Sequence, residues 1–287
     1  MRLIRFSHAG GPVRVGLLID GKAVALTDLI PDAPTESRAV IAAWDSLSPR
    51  LAGADAAKGV PVADVRLHCP LEASEKIMAI GLNYADHIEE ARGAGLTIPT
   101  EQVWFNKLPT SLNGPFEAIQ LPKVSDKLDY EVELVAVIGK GGRHIKAAEA
   151  HRHVFGLTVG NDVSVRDWQT KTPQWVLGKS FDTHGPIGPS IVTLDEAGDP
   201  HTLGVRCLVN GELRQNSNTR HLVFNLWAQI EELSKVMTLK PGDLIFSGTP
   251  GGVGLAFKPP RFLKVGDVVR CEIDRLGAIE NTVVAEG

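Results

Sequence analysis

The chain has 287 residues, 43% apolar and 22% charged, with a net charge of −4; these are the proportions of an ordinary globular protein with room for one large domain, or one large and one small. The acidic balance and the absence of any Lys/Arg cluster exclude a face built for phosphates, and with it nucleic acid as a partner. No window approaches the roughly 18 apolar residues of a membrane span, the start Met1-Arg2-Leu3-Ile4-Arg5-Phe6 lacks a signal-peptide core, and Cys69, Cys207 and Cys271 stand far apart, so a cytoplasmic protein with reduced core cysteines and no membrane partner is expected.

The first 30 residues read as short strands, Arg2–Phe6, Val13–Ile19 and Lys22–Leu26, the last two joined by an Asp20-Gly21 turn. Glu36–Leu47 has helical spacing of Val40, Ile41 and Trp44. Residues 48–64, rich in Ala, Gly and Pro, read as a linker. Residues 1–70 are therefore expected to form a small α+β cap, and 71–287 the catalytic domain. The larger part opens with a strand at Lys76–Leu82, followed by Asn83-Tyr84 and a helix-favouring stretch that Gly93 and Gly95 would end. On that helix His87 and Glu90 share a face, the arrangement of a general base oriented by a carboxylate or, more often for this spacing alone, of a surface ion pair. Val103–Asn106, Ala118–Leu121 and Phe155–Val159 read as strands. Ala147–His153 reads as a short helix whose His151 and His153 are a solvated end rather than a metal site. Val205–Val209 and Glu212–Gln215 flank an Asn210-Gly211 hairpin turn. His221–Met237 is the best amphipathic helix, and Val268–Ile273 with Ala278–Val284 closes the chain. The glycine-rich loop Gly248–Gly254 has no Gly-Lys-Ser/Thr and is no Walker loop. Many short strands with few long helices predict a mostly β fold with appended helices, an α+β protein.

The stretch with most chemical content is Asp129-Tyr130-Glu131-Val132-Glu133, running into the apolar Leu134–Ile138. As a strand Tyr130–Ile138, it sets Glu131 and Glu133 on one face about 7 Å apart. Two carboxylates on a buried face repel and lose solvation. Either a cation sits between them, with a hard divalent ion the natural candidate, or that face is simply wet.

The ordered blocks Gly81-Leu82-Asn83-Tyr84 with His87 and Glu90, Leu128–Leu134, Asn161-Asp162-Val163 with Arg166-Asp167 and Gln169, Gly178–Asp182, and Pro241-Gly242-Asp243 with Gly248–Gly254 resemble the fumarylacetoacetate hydrolase family, in its acylpyruvate hydrolase and heptadiene-dioate isomerase branch. Ser247 departs from the threonine common there but keeps a hydroxyl. The resemblance covers about 210 residues, from Lys76 to the C-terminus. It implies a mixed β-sandwich roll and a homodimer. The implied divalent ion, Mg²⁺ with Mn²⁺ or Ca²⁺ as alternatives, is held by Glu131, Glu133 and Asp162. The implied catalytic residues are His87, Glu90 and Lys179. Gln169, Arg166 and Thr249 fall on the substrate side, Arg166 also supporting the carboxylates. It further implies a 2-oxo or 2,4-dioxo acid substrate and, with the His-Glu pair activating water, hydrolysis of a C–C bond through a stabilised enolate. Decarboxylation, isomerisation, ureidoglycolate-type lyase action and, remotely, metal binding without catalysis stand as alternatives on the same site. Substituent-contacting residues are expected in 95–102 and 168–175.

Overall fold

Val132–Ile138 is a strand in which every residue is buried. Apolar and β-branched side chains on both faces suit a position covered on both sides. Leu134, Ala136 and Ile138 share a core with Leu157, Val205, Cys207, Val269, Cys271 and Ile279, while Val135 and Val137 share another with Leu3, Leu17, Ile41 and Phe246. The computed structural model describes residues 1–85 and 100–287. Within them the first core lies against a five-stranded sheet and the second beneath the N-terminal segment, both flanking a mixed twelve-stranded sheet. The result is the mostly β, α+β sandwich expected. No helix of the described residues is long and apolar enough to cross a membrane.

The N-terminal strands join this large sheet: Leu3 pairs with Ile191 in Gly185–Thr193, and Arg5 with His68 in Val65–His68. Two sheet pairings position the site. Val132–Ile138 runs antiparallel to Val154–Asn161 with Val132 opposite Asn161, so the start of one strand meets the end of the other. Leu244–Phe246 runs parallel to Ile77–Gly81, so the segments beginning at Ser247 and Leu82 emerge side by side at the same edge.

Several element boundaries differ from the sequence reading. The central strand begins at Val132, not Tyr130. The Tyr130 and Glu131 amides go instead to side chains, the Asp129 and Asn161 oxygens, and Leu128–Asp129 pairs separately with Ser164–Val165. The helix expected at 36–47 breaks at Ala43 into Ser37–Ala42 and Trp44–Leu47. The amphipathic helix spans Leu226–Val236, because the Asn225 side chain accepts from the Ala228 amide and caps it there. Ala147–His153 is 3₁₀ rather than α. The helix expected after Asn83-Tyr84, with His87 and Glu90, lies outside the described residues.

Candidate active site

The antiparallel register brings the acidic residues together. Asp162 follows the end of one strand and its amide donates to the Glu131 carbonyl at 2.9 Å, while Glu133 lies one residue inside the other. All three side chains are buried, Glu131 at 6% exposure, Glu133 at 1% and Asp162 at 0%, which rules out the wet-face reading. Each offers an oxygen within 4.8 Å of the others.

Cations and amides hold these carboxylates from behind. Arg166, on the short helix Arg166–Gln169, donates through Nε to Asp129 at 2.8 Å and through Nη1 to Glu131 Oε1 at 2.6 Å and Gln169 Oε1 at 3.0 Å. Burial opposes its charge, but Asp129 and Glu131 more than offset this and raise its pKa. Asp129 also accepts from the amides of Tyr130, Gly254 and Leu255, which pins the glycine-rich loop to the site. Lys179, at the end of the helix Val176–Lys179, donates to Glu131 Oε2 at 2.8 Å and Asp162 Oδ2 at 2.6 Å. Burial lowers its pKa, yet Asp162 and Glu131 together push it above the ordinary lysine value.

Three supporting residues are given no role by the sequence reading. Lys107 is fully buried at the end of Val103–Lys107; its ammonium donates to Asp162 Oδ1 at 2.7 Å, to the Val163 carbonyl and, in a short contact, to the Lys179 carbonyl. Burial lowers its pKa by more than the Asp162 charge returns. Nothing in Val-Trp-Phe-Asn-Lys marks that lysine as buried except its place at the end of an apolar strand. Gln215 accepts from the Val132 amide and donates to Thr249 Oγ1 and the Pro250 carbonyl. Asn83 donates to the Ser247 and Phe224 carbonyls and accepts from the Phe224 amide. Of the residues expected on the substrate side, Thr249 spends its hydroxyl proton on the Val132 carbonyl at 2.9 Å.

Glu133 differs from its neighbours. Among the described residues no cation touches it, and its Oε2 accepts from the Gly248 amide at 2.7 Å. Burial first, then the charges of Asp162 and Glu131, raise its pKa well above the ordinary glutamate value. Gly248 can approach because it has φ +99° and no side chain; a β-carbon there would lie 2.8 Å from that of Asn83. Among the described residues, four buried carboxylates (Asp129, Glu131, Glu133, Asp162) face three cations (Lys107, Arg166, Lys179), one carboxylate more than there are cations. Buried polar atoms without a partner among the described residues cluster here too: Arg166 Nη2, Asn161 Nδ2 and Ser247 Oγ. An all-oxygen triad with one unmatched carboxylate fits a hard divalent cation, whereas the unspent N–H donors beside it suit an acceptor ligand.

Fold and site together define a mostly β protein with a buried carboxylate triad suited to a hard cation. The chain belongs to the fumarylacetoacetate hydrolase family: the family profile described as fumarylacetoacetate (FAA) hydrolase C-terminal matches residues 76–284, and the protein is an enzyme of that family. It is 46% identical over 291 residues to the mitochondrial oxaloacetate tautomerase fahd2 of Xenopus laevis, an alignment covering 99% of this chain and 90% of the relative. Among solved structures, a fumarylacetoacetate hydrolase from Exiguobacterium antarcticum superposes with a TM-score of 0.85 at 36% identity over all of both chains. The maleylpyruvate hydrolase of Sphingobium sp. SYK-6, solved with manganese(II) and pyruvate, superposes with a TM-score of 0.83 at 32% identity, again over all of both chains.

Proposed function

We propose that the protein interconverts the keto and enol forms of oxaloacetate or a closely similar 2-oxo dicarboxylic acid, with a divalent ion, Mn²⁺ or Mg²⁺, on Glu131, Glu133 and Asp162. The observation that carries this reading is the near full-length similarity to an oxaloacetate tautomerase, joined to a buried triad with one unmatched carboxylate. When bound, such an ion supplies positive charge against the oxygens of a 2-oxo acid. The remaining work falls to the chain. Lys179, kept protonated by Asp162 and Glu131, supplies a hydrogen-bond donor and a charge to an oxygen that becomes negative as the adjacent carbon loses its proton. Arg166 Nη2, buried and without a partner among the described residues, is the donor we assign to a substrate carboxylate. Gln169, its carbonyl oxygen taken by Arg166, presents its amide protons to the substrate. Thr249 acts through the loop it ties to Val132. We assign the proton transfer at carbon to His87, oriented by Glu90.

Enolisation needs an acceptor for one proton and a donor at the oxygen; hydrolysis adds activation of water and loss of a carbon fragment. The similarity to a maleylpyruvate hydrolase solved with manganese and pyruvate supports C–C bond hydrolysis of an acylpyruvate-type acid as the second reading. Purified protein loaded with Mn²⁺ is tested by the decay of enol absorbance after oxaloacetate in its enol form is added, alongside pyruvate release from acylpyruvates. The expected result is faster enol decay with wild type, lost in His87→Ala while Mn²⁺ binding is retained. Rapid acylpyruvate cleavage with no effect on oxaloacetate would reverse the order of the two readings. His87→Ala with near wild-type rates would remove that residue from the mechanism.

A further inference from the structure

One wall of the site is aromatic. The Phe105 ring, on Val103–Lys107, packs against the Trp175 indole with centroids 5.4 Å apart and planes at 54°. The Lys179 ammonium lies 4.8 Å from the Phe105 centroid. Two of its three protons are committed to Glu131 and Asp162, which leaves the third for a substrate oxygen on a side that the ring flanks. Both aromatics are only half-buried, so each keeps area that a ligand can cover. The indole position depends on the opposite strand: a β-carbon on Gly81 would lie 2.4 Å from Trp175 Cζ3. Gly81 pairs with Val103 across the sheet. Three segments, the ends of Ile77–Gly81 and Val103–Lys107 and the turn before the Lys179 helix, thus meet to place one part-exposed ring against the site's cation and a second packed on the first.

We propose that Phe105 and Trp175 determine substrate specificity, receiving the substituent of a 2-oxo acid beyond its carboxylate and ketone and favouring a flat one, whether conjugated as in an enolised 2-oxo dicarboxylic acid or aromatic. This rests on the 2-oxo acid reading above. The polar end of such a molecule is matched by the triad, Lys179 and Arg166. A substituent leaving that end beside Lys179 meets the Phe105 ring, its centroid 4.8 Å from the ammonium, and the Trp175 indole packed on it, and offset or edge packing of a planar group on these rings adds to the area it buries. A pair that only shielded Lys179 from water would help every ligand equally, and this difference is measurable.

The Mn²⁺-loaded protein is titrated calorimetrically with pyruvate and with phenylpyruvate; neither has a second ketone, so neither is cleaved as a 2,4-dioxo acid. Wild type is expected to bind phenylpyruvate more tightly. The ratio of the two affinities should fall by about tenfold, the scale of one lost aromatic contact, in Trp175→Leu and in Phe105→Leu. Gly81→Ala leaves both rings in the chain and displaces the indole; it should lower the same ratio and serves if the ring deletions fail to fold. A ratio that stays at the wild-type value, whether both affinities fall together or neither moves, overturns the proposal. Wild type binding neither acid overturns the 2-oxo acid reading itself, and the specificity proposal with it.

Discussion

Glu133→Gln separates the cost of the site from its use. Glu133 is 1% exposed, lies beside two other carboxylates, and among the described residues meets no cation. The glutamine side chain is nearly the same size, and its carbonyl oxygen can still accept from the Gly248 amide, so the substitution chiefly removes a carboxyl whose ionisation the metal-free site disfavours. In EDTA the variant should therefore be more stable than wild type, by the roughly 0.5–2 kcal/mol typical of relieving one unfavourable active-site group. With metal the order reverses. At about a hundredfold excess of Mn²⁺ over its Kd, wild type gains about 2.7 kcal/mol, or roughly 5 °C in Tm for a chain of this size. The variant, with one charged ligand fewer, should gain little at the same concentration. Thermal melts of both proteins in EDTA and across an Mn²⁺ series read out both effects. A variant less stable than wild type in EDTA, yet shifted equally by Mn²⁺, would refute the charge accounting of the site.

Other substitutions probe its supports. Lys107→Met removes the fully buried ammonium that holds Asp162 and the Lys179 carbonyl. Denaturant unfolding should show a loss of about 3–5 kcal/mol, the cost of breaking a buried ion pair from one side; a loss under about 1 kcal/mol would mean that Lys179 alone suffices for Asp162. Gly248→Ala forces a side chain into a φ +99° position against Asn83 and should cost about 1–3 kcal/mol, with weaker Mn²⁺ binding in calorimetry because the amide that orients Glu133 shifts. His184, on the other side of Lys107, is held neutral in the fold by burial, its pKa lowered from 6.5 to about 4. The unfolded chain binds that proton first as pH falls, so wild type should lose about 3 kcal/mol from this group between about pH 6.5 and pH 4. Urea unfolding of His184→Phe across that range should lack this component, and parallel pH profiles for the two proteins would contradict the assignment.

What the chain reveals by reading follows the range of the forces involved. The central strands Val132–Ile138 and Val154–Asn161 announce themselves because burial on two faces demands nearly unbroken apolar residues. The Asn210-Gly211 hairpin does so because its turn needs residues that tolerate positive φ, which both adopt. The triad residues are nameable only through an ordered set of blocks, since a two-residue spacing of glutamates leaves wet face and metal site equally open, and the pleat argument for Glu131 fails once its amide turns to Asn161. Lys107 stays hidden for a related reason. Its partners lie 55 residues away at Asp162 and 72 residues away at Lys179, and a lone lysine after an apolar strand is ordinarily an exposed end. Only a register that sets Val132 against Asn161 turns it into a counter-ion. Composition also conceals the balance that matters most: the whole chain carries a net charge of only −4, whereas the described residues of the site gather four carboxylates and three cations within its interior. The carboxylate left without a cation among the described residues, Glu133, is what suits this site to a metal ion.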